Sequence, residues 1–256
     1  QYDDIPPDVI QMAKWHTLNI LGGTLRGHTL ESPQIIIRGY KGMGGRPDAT
    51  VIGENIKLPA PIAAGINAHS CYSTMNDDTF YEGVFHPGHA VVTASLAVGE
   101  KEKANGKDYL TAVVTGFELG CRVAASLTQS QESHKSRLGW HCNIADAFCS
   151  VGAAGKLLKF DEDLYTAGIG IAATSSSGLL ETEYPTYVWA WDGGKANYLG
   201  VLGSYFAKDG MDAGETALEG LHGYVTMYTG GNPPPEAFPR LTRGFGSEWM
   251  TSRISI

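Results

Sequence analysis

Cysteine is scarce in these 256 residues. Only Cys71, Cys121, Cys142 and Cys149 occur, and no two of them stand at CxxC spacing. That argues against a disulfide framework and a cysteine-clasped zinc module, and the three or four close thiolates of an iron–sulfur cluster are missing too. The thiols read as reduced, in a cytoplasmic or mitochondrial-matrix setting. Charge is also sparse, at 18% of residues with a net −8, and no basic stripe is present to displace counterions from phosphates. Nucleic acid is therefore not an expected partner. No apolar run reaches the roughly 18 residues of a membrane span, and no signal-peptide pattern opens the chain. HExxH and GxxxxGK[ST] are both absent, so the glycines at Gly39, Gly42, Gly44 and Gly45 read as a plain turn and not as a phosphate cradle.

The chain is 43% hydrophobic and holds 33 glycines, many of them inside apolar runs with helical spacing. The fold expected is all-α, with closely packed Ala/Gly-rich helices and a small strand segment. A first helix follows Pro6-Pro7 and stops at Gly22-Gly23, and a second covers Pro33 to Gly39. ATVIG, from Ala49 to Gly53, is strand-like. Further helices are expected over Ala60–Ala68 and Ala90–Val98, behind an Asp108 N-cap, through Gly152–Leu158, from Asp161, and over Gly193–Ala207. Thr128 to Arg137 reads as a loop. Gly230 to Pro239, with three consecutive prolines, reads as a linker, and Phe245 to Ile256 as a first strand with nothing here to pair with. The division expected is a helical domain over 1–243 and the start of a truncated or separate domain over 244–256.

Polar and ionisable residues crowd between two apolar helical segments in NAHSCYSTMNDDTFYEGVFHPG, from Asn67 to Gly88. A histidine that titrates near neutrality suits proton abstraction next to a carboxylate, which makes His86 the candidate base. Asp77 and Asp78 can orient that ring, act as an acid, or simply cap a helix. Thr79 can donate to a substrate carboxylate. His141, beside Trp140, is a candidate acid or a packed core residue. His86, His89 and Asp77 together raise zinc, but Pro87-Gly88 interrupts the helix such a site needs, and no metal is expected.

Several stretches together resemble one family. They are IPPDVIQMAKWHTLNILGGTLRG, AAGINAHSCYSTMNDDTFYEGVFHPG, GKDYLTAVVTGFELGCRV, GWHCN through GAAGKLL, and FGSEW. In this order, over nearly the whole chain, they are similar to the MmgE/PrpD family. Its members include dehydratases, decarboxylases and epimerases of small polycarboxylates. The resemblance implies a helical domain that binds such a substrate, dimerises and works with a lid domain, and this chain looks like the helical domain without its lid. Asp77, Asp78 and Thr79 match the family's DDT, His86 the histidine of its HPxG, and His141 the histidine before the second small-residue helix. Two positions depart: Met75 replaces an acidic residue four before the threonine, and Trp189 stands where decarboxylase-like members have a lysine. Lys195 is the nearest cation, and a further lysine would fall past Ile256.

The expectation is a lyase without cofactor that removes a proton alpha to a carboxylate, most naturally dehydrating a 2-methylcitrate-like hydroxy acid. His86, Asp77, Asp78 and His141 would be catalytic. Thr79, Lys195, Arg137 and Tyr187 would bind substrate, with Arg122 ranked last among the cations. The alternatives are a decarboxylase or epimerase of the same family, Trp189 weighing against the decarboxylase, or a non-catalytic helical subunit that dimerises or needs a separate lid subunit.

Overall fold

The structure, a computed structural model, describes residues 1–129, 132–133, 138–182 and 186–256. Its centre is helix α3 (Ala60–Tyr72), APIAAGINAHSCY, in which every residue except Ile62 is buried. Helix α1 (Pro7–Gly27), α4 (Gly88–Glu102) and α8 (Val188–Lys208) pack around it. Helix α6 (Asp146–Leu157) fills the space between α4, α8 and α5 (Gly106–Ser126). Helices α2 (Glu31–Met43), α7 (Glu162–Ser175), α9 (Tyr224–Tyr228) and α10 (Ala237–Thr242) complete the set. Two antiparallel ribbons are the only paired strands among the described residues. One joins β1 (Ala49–Thr50) to β2 (Lys57–Leu58), and the other β3 (Thr128–Gln129) to β4 (Glu132–Ser133). The fold is all-α, as the helical periodicity implied. No described helix is long and apolar enough to cross a membrane.

Small residues set how closely the helices approach. Gly22-Gly23 does not end α1, which runs on to Gly27, because Gly23 lies against α3: a methyl there would stand 2.9 Å from Cys71 Sγ. Here glycine serves packing, and the helical hydrogen bonds continue past it. Gly39 and Gly42 likewise sit inside α2 and not in a turn. The cap of α5 is Asn105 and not Asp108. Its side-chain oxygen accepts from the amides of Lys107 and Asp108 at 2.9 and 3.0 Å.

The proline-rich stretch is not a free linker. It leads into α10, which docks on α5, and Arg240 Nη1 donates to the carbonyls of Ala125 and Thr128 at 2.8 and 2.7 Å. The C-terminal residues also differ from the strand expected of them. Met250–Arg253 forms a 3-10 turn with Met250 and Ile254 buried, and Glu118 accepts from the Met250 amide at 2.6 Å. Ser255 does have a partner: it exchanges backbone hydrogen bonds with Thr79 at 2.8 and 2.9 Å.

Candidate functional site

Chain between the end of α3 and the start of α4 carries the polar cluster, and two buried rings pin it. Phe80 and Phe85 are fully buried and pair across Tyr81–Val84 through backbone bonds of 2.8 and 3.2 Å. Burying a phenylalanine is worth roughly 1.5–3 kcal/mol. That offsets the left-handed backbone of Val84 and Met75, at φ 46° and 52°, on either side of the carboxylates.

Asp78 is fully buried, so its carboxylate does not reach a substrate from this position. One oxygen accepts from the Gly88 amide at 2.8 Å, which anchors the first turn of α4 where the helix dipole favours negative charge. The other lies 2.9 Å from His16 Nδ1 on α1, and the opposite nitrogen of that ring meets the carbonyl of Thr251 at 3.2 Å. The main-chain carbonyl of Asp78 faces His86 Nδ1 at 2.9 Å. A carbonyl only accepts, so Nδ1 carries the hydrogen, and Nε2 is where the neutral ring gains a proton. The His86 side chain is 33% exposed, and Thr79 Oγ1 lies 3.4 Å from its Nδ1.

His141 has the opposite tautomer. It caps the 3-10 turn Cys142–Ala145 by accepting the Asn143 amide at Nδ1, 3.1 Å away, which puts the hydrogen of the neutral ring on Nε2. The two histidines flank Tyr72, with ring centroids 5.9 Å (His86) and 6.1 Å (His141) from it. Trp189 meets the same tyrosine edge-on at 4.8 Å, and the tyrosine hydroxyl reaches Cys142 Sγ at 3.4 Å. Burial pushes the Tyr72 hydroxyl far above the usual range of a phenol.

Beneath Tyr72 lies His89, stacked on it at 4.7 Å and fully buried. Its Nδ1 stands 3.0 Å from Asp77 Oδ2 and its Nε2 2.9 Å from Asp146 Oδ2. Burial alone would lower its pKa, but the Asp146 and Asp77 carboxylates outweigh burial and push it up to about 10. Burial raises the Asp146 carboxyl, and His89 opposes that rise. The second oxygen of Asp77 lies 3.6 Å from His86 Nδ1, so one carboxylate bridges the half-exposed histidine and the buried one. Gly193 on α8 leaves the room required, since a methyl there would stand 2.6 Å from His89 Nε2.

The other residues expected at the site are less closely joined to it. Lys195 Nζ donates to Asp192 Oδ1 at 2.8 Å and to Ser177 Oγ at 3.1 Å. Its partner Asp192 is one glycine away from His141: a methyl on Gly178 would stand 2.9 Å from both Asp192 Oδ2 and His141 Cβ. Tyr187 is 56% exposed beside the start of α8. Arg137 lies outside the described residues. Arg122 is structural: it pairs with Glu118 at 3.1 Å and donates to the carbonyls of Arg243 and Glu248. The zinc geometry considered for His86, His89 and Asp77 does not form. Both nitrogens of His89 face carboxylates, and among the described residues no group of three or more His, Cys, Asp or Glu is arranged to hold a metal. Sequence reasoning missed Tyr72, His16 and Asp146. The signal available for the last two was an ionisable residue inside an otherwise apolar helical run.

The helical bundle thus buries a His/Asp cluster beneath a partly exposed histidine. Residues 1–237 match the MmgE/PrpD N-terminal domain, and the chain belongs to the MmgE/PrpD family. It is 30% identical over 263 residues to a cis-aconitate decarboxylase of Aspergillus terreus, an alignment covering 99% of this chain and 53% of that protein. It is 29% identical over 267 residues to the cis-aconitate decarboxylase-like protein oryM of Aspergillus oryzae, covering 99% and 54%. The chain thus spans about half the length of these relatives.

Proposed function

We propose that the chain is the helical part of a lyase acting on a small tricarboxylate, and that its reaction is decarboxylation of a cis-aconitate-like substrate. The observation that carries the proton chemistry is the partly exposed His86 beside Tyr72, whose Nε2 is free to take up and return a proton because Nδ1 faces the Asp78 carbonyl, while His141, fully buried, supports the other side of Tyr72 with its hydrogen on Nε2. In decarboxylation the bond to the departing carboxylate breaks and CO2 leaves. The bonding pair shifts into the neighbouring C=C, and a proton adds at its far carbon. His86, once protonated at Nε2, suits that delivery, and the proton is regained from solvent afterwards. The similarity to cis-aconitate decarboxylases along 99% of the chain favours this reaction over others of the family. Thr79 and Lys195 are the proposed donors to substrate carboxylates, with Asp77 and Asp78 holding the histidines.

Dehydration of a 2-methylcitrate-like hydroxy acid is the second reading. It needs an acceptor and a donor in one turnover, roles His86 can take in turn, and Trp189 packs against Tyr72 where a lysine was expected. A homodimer and a lid, on the same chain or on another, belong to the same proposal. The test incubates the full-length protein in deuterated water with cis-aconitate and, separately, with 2-methylcitrate. CO2 release with one deuterium fixed on carbon supports the first reading, water loss supports the second, and turnover of neither overturns both. His86→Ala should lower the rate by about 10²–10⁴-fold, the usual worth of a positioned acid–base group.

A further inference from the structure

His89 is not part of that proton transfer, because nothing of it is exposed and both its nitrogens are engaged. We propose that it is a positioning residue: an imidazolium clamped between Asp77 and Asp146 that keeps its proton throughout and sets how readily His86 takes up one. Ionised carboxylates only accept hydrogen bonds, so two of them at 3.0 and 2.9 Å require a hydrogen on each ring nitrogen. A neutral ring would leave one nitrogen lone pair facing a carboxylate in a water-free interior. The cation is what allows Asp77 and Asp146 to share this space.

Its influence reaches His86 through Asp77, which contacts both rings. The His89 charge offsets that of Asp77, whose other oxygen faces His86 Nδ1 at 3.6 Å beside the Asp78 carbonyl that accepts its hydrogen. The groups facing His89 come from each packed element. Tyr72 and His69 lie on α3, Asp77 on the connecting loop, and Asp146 on α6. From α1, His16 reaches the adjacent Asp78. Helix α8 contributes Gly193, which carries no charge. The imidazolium is thus the cation that offsets this group of carboxylates. Its importance for turnover rests on the proposed role of His86, but its charge state does not.

Nitrogen-15 NMR of the full-length protein tests the charge directly. Long-range proton–nitrogen spectra should show both ring nitrogens of His89 protonated from about pH 6 to 9. A neutral His89 tautomer at pH 7.5 would overturn the inference. The coupling is read from the midpoint of His86's own titration in two variants. His89→Gln removes a positive charge and should move that midpoint up by about one pH unit, whereas Asp146→Asn removes a negative one and should move it down. Shifts in the same direction, or none, would sink the idea. If one variant fails to fold, the other and the unmodified protein still decide the matter. Because none of these readouts uses substrate, failure of the lyase reading remains separate.

Discussion

His69 and His89 sit on neighbouring helices, both are 0–1% exposed, and adjacent glycines of α8 make room for them. A methyl on Gly194 would stand 2.8 Å from His69 Cβ, and one on Gly193 would stand 2.6 Å from His89 Nε2. Yet the two rings are driven in opposite directions. His69 meets the Ser32 hydroxyl at 2.8 Å, and burial pushes it down to about 4. His89 meets two carboxylates and is pushed up to about 10. The same side chain at the same depth is a neutral core residue in one place and an ion in the other. Burial does not decide which, because desolvation favours the neutral form in both. The partners decide, and the two carboxylates converge on the histidine nearest the proposed proton acceptor.

The comparison breaks most completely if the carboxylates are removed. In Asp77→Asn/Asp146→Asn, His89 should come to resemble His69 and titrate several units lower, below the usual histidine value of about 6.5, as ring-nitrogen NMR would show. Next in size is Gly193→Ala. The methyl must displace a ring held at both ends, and overpacking of this kind costs about 1–3 kcal/mol, measurable by urea unfolding. Gly22→Ala meets open space and serves as the control.

The pH dependence of stability separates the two rings by sign. The His69 pKa is depressed, so its contribution is present above about 6.5 and is lost as pH falls through about 4, up to about 3 kcal/mol in all. The His89 pKa is raised, so its contribution is complete below about 6.5 and is lost as pH rises through about 10. Thermal melts should therefore decline toward both ends of the range, the acid arm shrinking in a His69→Gln variant and the alkaline arm in His89→Gln. The smallest effect is expected of Ser32→Ala, at about 1 kcal/mol, because it removes one neutral hydrogen bond. It should leave His89 unchanged.

Much of the helical architecture was legible because apolar residues recur at helical spacing, and small residues mark the closest approaches. Boundaries were less so. Gly22-Gly23 reads as a stop until α3 is seen lying against it, and Asn105 and Asp108 are equally good caps on paper. The prolines after Asn232 say that a helix ends there, but not that the next one docks on α5. At the site, Asp77, Asp78, Thr79 and His86 are close in sequence and could be read as a group. Their roles could not, since Asp77 and Asp78 differ only in which way the backbone turns each one. Asp146 lies 57 residues beyond His89, and only the packing of α6 on α4 joins them.

The single bridge between Thr79 and Ser255 gives the C-terminal residues a mechanical role. Both backbone groups of Thr79 are spent on that one residue, and His16 reaches the same segment at Thr251. Tension on this segment is shared between α5, which holds Met250 through Glu118, α1, which holds Thr251 through His16, and the Thr79 bridge. The last of these anchors is a loop position beside His86, so whatever covers this segment touches the backbone partner of Thr79, the neighbour of the histidine proposed to move the proton.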